Sequence, residues 1–104
     1  MAQITIPQND YGFNIAFTLQ DADGDAFDGT DYTATLKVWL AGSPATLVAT
    51  GACTWTVAAS GTCTYAVKST DFATAGSYLG EVECTKTGAR ETFGPFKIAV
   101  TESA

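Results

Sequence analysis

Apolar and polar residues alternate along this chain with period two, the spacing of a strand with one buried face. In "YGFNIAFTLQ", Phe13, Ile15, Phe17 and Leu19 alternate with Asn14, Ala16, Thr18 and Gln20. In "DYTATLKVWL", Tyr32, Ala34, Leu36, Val38 and Leu40 share one face, and Thr33, Thr35, Lys37 and Trp39 the other. Cys53, Trp55 and Val57 alternate with threonines, as do Cys63, Tyr65 and Val67. In "SYLGEVECTK", Tyr78, Gly80, Val82 and Cys84 oppose Leu79, Glu81, Glu83 and Thr85. The last run, "FKIAV", turns Phe96, Ile98 and Val100 inward. No window of helix length carries an apolar stripe at 3.6 spacing. Short strands of this kind, rich in Thr, Val and aromatics, predict an all-β, antiparallel, immunoglobulin-like sandwich of about seven strands in one domain, residues 1–104.

The segments between these runs carry turn chemistry. "AASGT" predicts a hairpin with a loop at Ala59 to Gly61, which sets Trp55 opposite Tyr65 and Val57 opposite Cys63, with Gly61 left-handed. "KTGAR" predicts a second hairpin tip at Gly88. "STDFATAG" reads as one helical turn crossing between sheets, capped by Ser69 or Thr70. "AGSPAT" reads as a loop. The alternation slips by one between Phe93 and Phe96, so Gly94-Pro95 reads as a bulge or strand start at a sheet edge, because proline cannot donate to a ladder.

Composition narrows the function classes. The chain has 104 residues, 46% hydrophobic and 15% charged, with net charge −6. That is enough apolar material for one core. The acidic balance repels phosphate backbones and argues against a nucleic-acid partner. No run of eighteen apolar residues predicts a membrane span. "MAQITIPQND" lacks a basic start and an apolar core, so no Sec-type signal peptide is expected.

The stretch "DADGDAFDGTD", Asp21 to Asp31, looks most like a site, with five carboxylates in eleven residues. A calcium loop of the EF-hand type needs oxygen ligands at positions 1, 3 and 5, Gly at 6 and Glu at 12. Asp21, Asp23 and Asp25 fit the first three. Position 6 is Ala26, with Gly24 early, position 12 is Tyr32, and strands flank the loop. The reading preferred is a β-turn in which Asp21 or Asp23 bonds the backbone ahead of it and Gly24 takes positive φ. Asp21, Asp23 and Asp25 stay as weak metal candidates, and no cofactor or small-molecule ligand is expected.

Three cysteines, Cys53, Cys63 and Cys84, form no CxxC pair, and the chain has no histidine, which argues against zinc. They are expected to be reduced and inward-facing, each in register with apolar neighbours. Without histidine the commonest general base is missing. Glu81 and Glu83 share a face, which is the ordinary solvated exterior of a strand. No catalytic residue stands out, and an enzyme is not expected.

Tyr78 opens a strand after a cross-sheet turn, where immunoglobulin-like sandwiches place a tyrosine corner; an ordinary core-edge tyrosine is the alternative. Gly80 stands where the second cysteine of an antibody domain would be. The order "FTLQDADGDAFDGTDYTATLKV" then "ASGTCTYAVKSTDFATAGSYLGEVECTKTGARETFGPFKIAV" resembles the immunoglobulin-like domain at the N-terminus of phage baseplate upper proteins. Related small domains are scattered through phage structural genes. The matching positions are Asp21, Asp23, Gly24, Gly61, Tyr65, Gly76, Tyr78, Gly80, Glu81, Thr92, Phe93 and Phe96. They are turn and core residues, so the resemblance speaks to fold more than role. It implies no catalytic residues. Baseplate upper proteins continue into an oligomerising, receptor-facing part, whereas this chain ends at "VTESA". The resemblance therefore implies a free-standing relative, such as a capsid decoration or other accessory virion protein.

The expected role is a non-enzymatic structural subunit of a bacteriophage particle, assembled in the host cytoplasm and resident in the virion. It would dock on other virion proteins and on copies of itself. Trp39 alternates with inward-facing Val38 and Leu40, so it points outward beside Lys37 and Thr35 as the expected interaction face, with an edge strand as a second contact. The alternative is a small adhesion module that binds a glycan or receptor. For a sugar platform the candidate aromatics are Trp39, Tyr11 and Phe27.

Overall fold

The computed structural model describes residues 3–43 and 46–103. Eight strands run in chain order: β1 (Ile4–Pro7), β2 (Asn14–Thr18), β3 (Thr33–Leu40), β4 (Leu47–Ala52), β5 (Thr54–Val57), β6 (Thr62–Ala66), β7 (Gly76–Lys86) and β8 (Ala89–Thr101). They form a five-stranded sheet, β1-β8-β7-β3-β4, and a three-stranded sheet, β2-β6-β5. The chain crosses between the sheets at β1–β2, β2–β3, β4–β5 and β6–β7, so that hairpins of the two sheets succeed one another as in immunoglobulin-like sandwiches. The expected all-β sandwich is therefore what forms. Among the described residues it has eight strands rather than about seven, and it is not wholly antiparallel. β1 runs parallel to β8, with Ile4 opposite Ile98 and Pro7 opposite Thr101.

The inward residues of the two sheets meet in one core. Phe17, Leu36, Val38, Tyr65, Val82, Cys84 and Ile98 are among its most buried members. Phe17 of the small sheet and Phe96 of the large one lie with ring centroids 5.1 Å apart. Gly80 makes room for this pair, because a Cβ there would sit 2.9 Å from the Phe96 ring. The aromatic contact thus occupies the place where an antibody domain has its inter-sheet disulfide. Four expected positions differ. Phe13, just before β2, and Leu40 and Val57, at the ends of β3 and β5, are exposed. Phe27, weighed above as a solvent-facing aromatic, is buried against Tyr32 and Phe93 at 5.0 and 4.7 Å.

The β5–β6 hairpin keeps its left-handed glycine but shifts its register. Trp55 lies opposite Cys63 and Val57 opposite Thr62, not Tyr65 and Cys63. The reason is a 3-10 turn at Ala58–Ser60, closed by Gly61 at φ +68°. Ala58 is held there because its carbonyl accepts from both Gly61 N and Gly29 N. The "STDFATAG" crossing is a set of turns rather than a helical turn. Its cap is Asp71, whose carboxylate accepts from Lys68 N at 2.9 Å, in place of Ser69 or Thr70. Thr87-Gly88 forms the expected second hairpin, with Lys86 opposite Ala89. The ladder slips between Gly80 and Val82, so Gly94-Pro95, a cis peptide, is the expected bulge. Among the described residues β1 covers β8 only from Ile98 onward, so the bulge lies on an open edge. Of the "AGSPAT" loop, Pro44 and Ala45 lie outside the described residues.

Candidate interaction surface

β3 alternates strictly, with Ala34, Leu36 and Val38 buried and Thr35, Lys37 and Trp39 half-buried on the solvent face of the large sheet. Register decides what surrounds each of them. Trp39 lies opposite Leu47 of β4 and Leu79 of β7, and Leu79 lies opposite Lys97 of β8. The result is a row across four strands, Leu47–Trp39–Leu79–Lys97, apolar over three positions. Leu47 is 43% exposed. Adjacent side chains across strands come within about 5 Å of one another at the Cβ, so the three apolar groups act as one patch.

The next rows are polar. Lys37 Nζ donates to Glu83 Oε2 at 2.9 Å, and Arg90 reaches the same oxygen at 3.0 Å. The Lys37 bond, with the Arg90 charge behind it, holds the Glu83 carboxyl below its usual range. Lys37 and Thr35 thus share the expected face, but Lys37 is engaged within the sheet. The docking character concentrates at the Trp39 end. Leu79 was visible in the sequence as an outward leucine. Leu47 was not, because β4 leaves no period-two signature.

The Asp-rich stretch folds as the turn expected. Asp21 Oδ1 accepts from Asp23 N at 2.9 Å and from Asp25 N at 3.0 Å. Gly24 N donates to Asp21 O, and Gly24 stands at φ +84°. Asp21, Asp23 and Asp25 are exposed and can each present an oxygen within 4.8 Å of the others. Asp21 Oδ1 already serves the turn.

Two tyrosines tie the crossing after β6 to the sandwich. Tyr78 is the corner tyrosine: its hydroxyl donates to Thr74 O at 2.6 Å while the ring is buried. Tyr65 OH donates to Asp71 Oδ2 at 2.6 Å. Asp71 is the one buried charged residue among those described, and sequence reasoning passed over it. Burial, with the adjoining Asp71 carboxylate, pushes the Tyr65 hydroxyl above its ordinary pKa. Among the described residues, every buried side-chain nitrogen and oxygen has a hydrogen-bond partner.

All three cysteines are free thiols. Cys63 and Cys84 are buried as expected, but Cys53 is only half-buried, because it is the residue at which the chain leaves β4 for β5. The neighbouring Cys63 thiol, together with burial, favours the protonated form of Cys53. Burial, with lesser help from Cys63, Glu91 and Glu83, pushes the Cys84 thiol up to about 11 from 9.0. The unfolded chain then loses this proton at lower pH than the folded one. The stabilisation is complete below pH 9 and fades as pH rises toward 11. The Cys84 share of the stability lost in urea unfolding between pH 8 and pH 10.5 is about 2 kcal/mol, beside the shares of Cys53 and Tyr65, whose protonated forms the fold also favours. Cys84→Ala should reduce the fall by that share, and an unchanged slope would contradict the assignment.

Comparison with family models and with curated proteins finds no match. No helix among the described residues is long and apolar enough to cross a membrane.

Proposed function

We propose that this chain is a non-enzymatic structural subunit of a phage particle, a decoration, baseplate or tail component, which acts by docking on other virion proteins through the large sheet. The observation that carries the reading is the apolar row Leu47–Trp39–Leu79 on a solvent face whose remaining rows are threonines and an ion-pair network. Tryptophan is enriched among the residues that dominate interface energies, and a flat sheet face gives it neighbours to exclude water. The resemblance to the immunoglobulin-like domains of phage structural proteins supplies the kind of assembly. The glycan-binding alternative loses one of its three candidate aromatics with Phe27 in the core, and Tyr11 and Trp39 remain.

Trp39→Ala tests the reading. It should lower the melting midpoint by only a few degrees, since cross-strand pairs on an open face contribute about 0.2–1 kcal/mol. It should weaken incorporation into particles, or self-association in sedimentation, by about 2 kcal/mol or more. Loss of the fold, or unchanged assembly, would remove Trp39 from the docking face.

A further inference from the structure

We propose that the open side of the sandwich between β2 and the first half of β8 receives an extended, basic segment of a partner protein as an added strand. This is a second surface, away from the Trp39 row, and it does not rest on the particle reading.

Two unpaired strand edges face one slot. In the small sheet β2 has a single neighbour, β6. Val67 N donates to Phe13 O and Leu19 N to Gly61 O, so the odd residues of this stretch direct their backbone groups to β6. By the antiparallel alternation, Asn14, Ala16 and Thr18 turn their N–H and C=O groups away from the sheet. All three are exposed. Among the described residues, β8 of the large sheet is open on its outer side from Ala89 to Lys97, because β1 pairs only with Ile98 to Thr101. Edges of this kind are usually blunted by charge, proline or a bulge. β8 has Pro95 and the bulge. β2, "NIAFT", has no charge and no proline, and it pairs with β6 without a slip. The more inviting edge is thus the unprotected one.

At the Thr18 end of β2, between the segment that follows it and the first half of β8, lie two adjoining clefts that share Asp21 and Phe93. One, of about 300 Å³, reaches Leu19 and Phe96, so the core opens onto the slot there. The other, of about 530 Å³, reaches Glu91. An incoming strand on β2 has alternate side chains on one face, so an apolar residue can enter against Leu19 and Phe96 while a residue two positions away reaches the rim.

Charge chooses the occupant. Asp21 lines both clefts and Glu91 lies across from it, with Asp23 and Asp25 in the same turn as Asp21, all exposed. The nearby cation Arg90 is paired with Glu83. A second copy of this chain, at net charge −6, would bring like charge to the slot. A segment bearing lysine or arginine is steered toward it.

The test uses a capped eight-residue peptide of alternating lysine, valine and threonine, followed by amide chemical shifts of the whole protein. Saturable shifts should concentrate at Asn14 to Thr18 and Thr92 to Gly94. A counterpart with glutamate for lysine should bind at least tenfold more weakly. So should the protein carrying Asp23→Lys and Glu91→Lys, both at exposed rim positions. Ala16→Pro removes an outward N–H and should abolish the shifts, whereas Trp39→Ala should leave them unchanged. Lack of saturable binding, equal binding of the glutamate peptide, or shifts centred on β4 or β5 would overturn the proposal. The rim variants keep the test valid if Ala16→Pro fails to fold.

Discussion

Asp71→Ala is expected to destabilise the domain by about 3 kcal/mol, enough to lower the melting midpoint by roughly 12 °C or more. The carboxylate is 6% exposed, and its Oδ2 serves two donors, Tyr65 OH and Lys68 N. Removing it strands a buried hydroxyl and a backbone N–H together, and each unmet group costs about 1–3 kcal/mol. Asp71→Asn should cost less, since an amide oxygen in the same place can accept from both donors. Tyr65→Phe removes one donor and leaves the carboxylate its Lys68 N bond. A double-mutant cycle on Asp71→Ala and Tyr65→Phe should therefore be clearly non-additive. Additive losses in urea unfolding would show that the two side chains act separately.

Gly61→Ala is expected to cost at least about 3 kcal/mol, for two reasons that add. At φ +68° an L-residue pays about 1–2 kcal/mol for the left-handed conformation. Its Cβ would also stand 2.6 Å from Phe27 O and 2.7 Å from Leu19 O. These are backbone atoms of a pair that is itself hydrogen-bonded, Phe27 N to Leu19 O at 2.9 Å, so neither can swing aside. Gly88, also left-handed but with open space around its Cβ position, is the control. Gly88→Ala should lose only the conformational part, and equal losses at the two glycines would refute the crowding argument.

The strands that could be read in the sequence are those whose inward residues are large. β2, β3, β6 and β7 and the end of β8 alternate bulky and polar groups, and their faces came out as expected. β4 shows why one strand escaped. Its inward positions are Ala49 and Gly51, while the bulky Leu47 and Val48 face solvent. The inward side must be small because Tyr65 fills that space: a Cβ on Gly51 would lie 3.0 Å from its ring. The hydrophobic pattern of β4 is thus the inverse of its burial. β1 is too short, at four residues ending in Pro7, to show a period of its own. Turn chemistry at Asp21, Gly24, Gly61 and Gly88 was legible, because local backbone conformation dictates those residues. The register of β5 on β6 was not, because the carbonyl of Ala58 is held by Gly29, distant in sequence. The same limit applies to the site. An outward Trp39 follows from alternation alone, whereas its neighbours Leu47 and Leu79 follow from pairings that only the folded sheet reveals.

The parallel pairing of β1 with β8 has a mechanical meaning. Tension applied through the residues before Ile4 and after Thr101 drags the two strands past each other along their length. Every hydrogen bond of the Ile4–Pro7 and Ile98–Thr101 ladder is then strained at once, in shear. An antiparallel terminal pair pulled from neighbouring ends would instead peel open one bond at a time. Resistance to pulling depends on the barrier along the pulled coordinate, not on equilibrium stability. Four residues of parallel ladder give this small sandwich a stiff clasp in the direction in which a tethered chain is drawn.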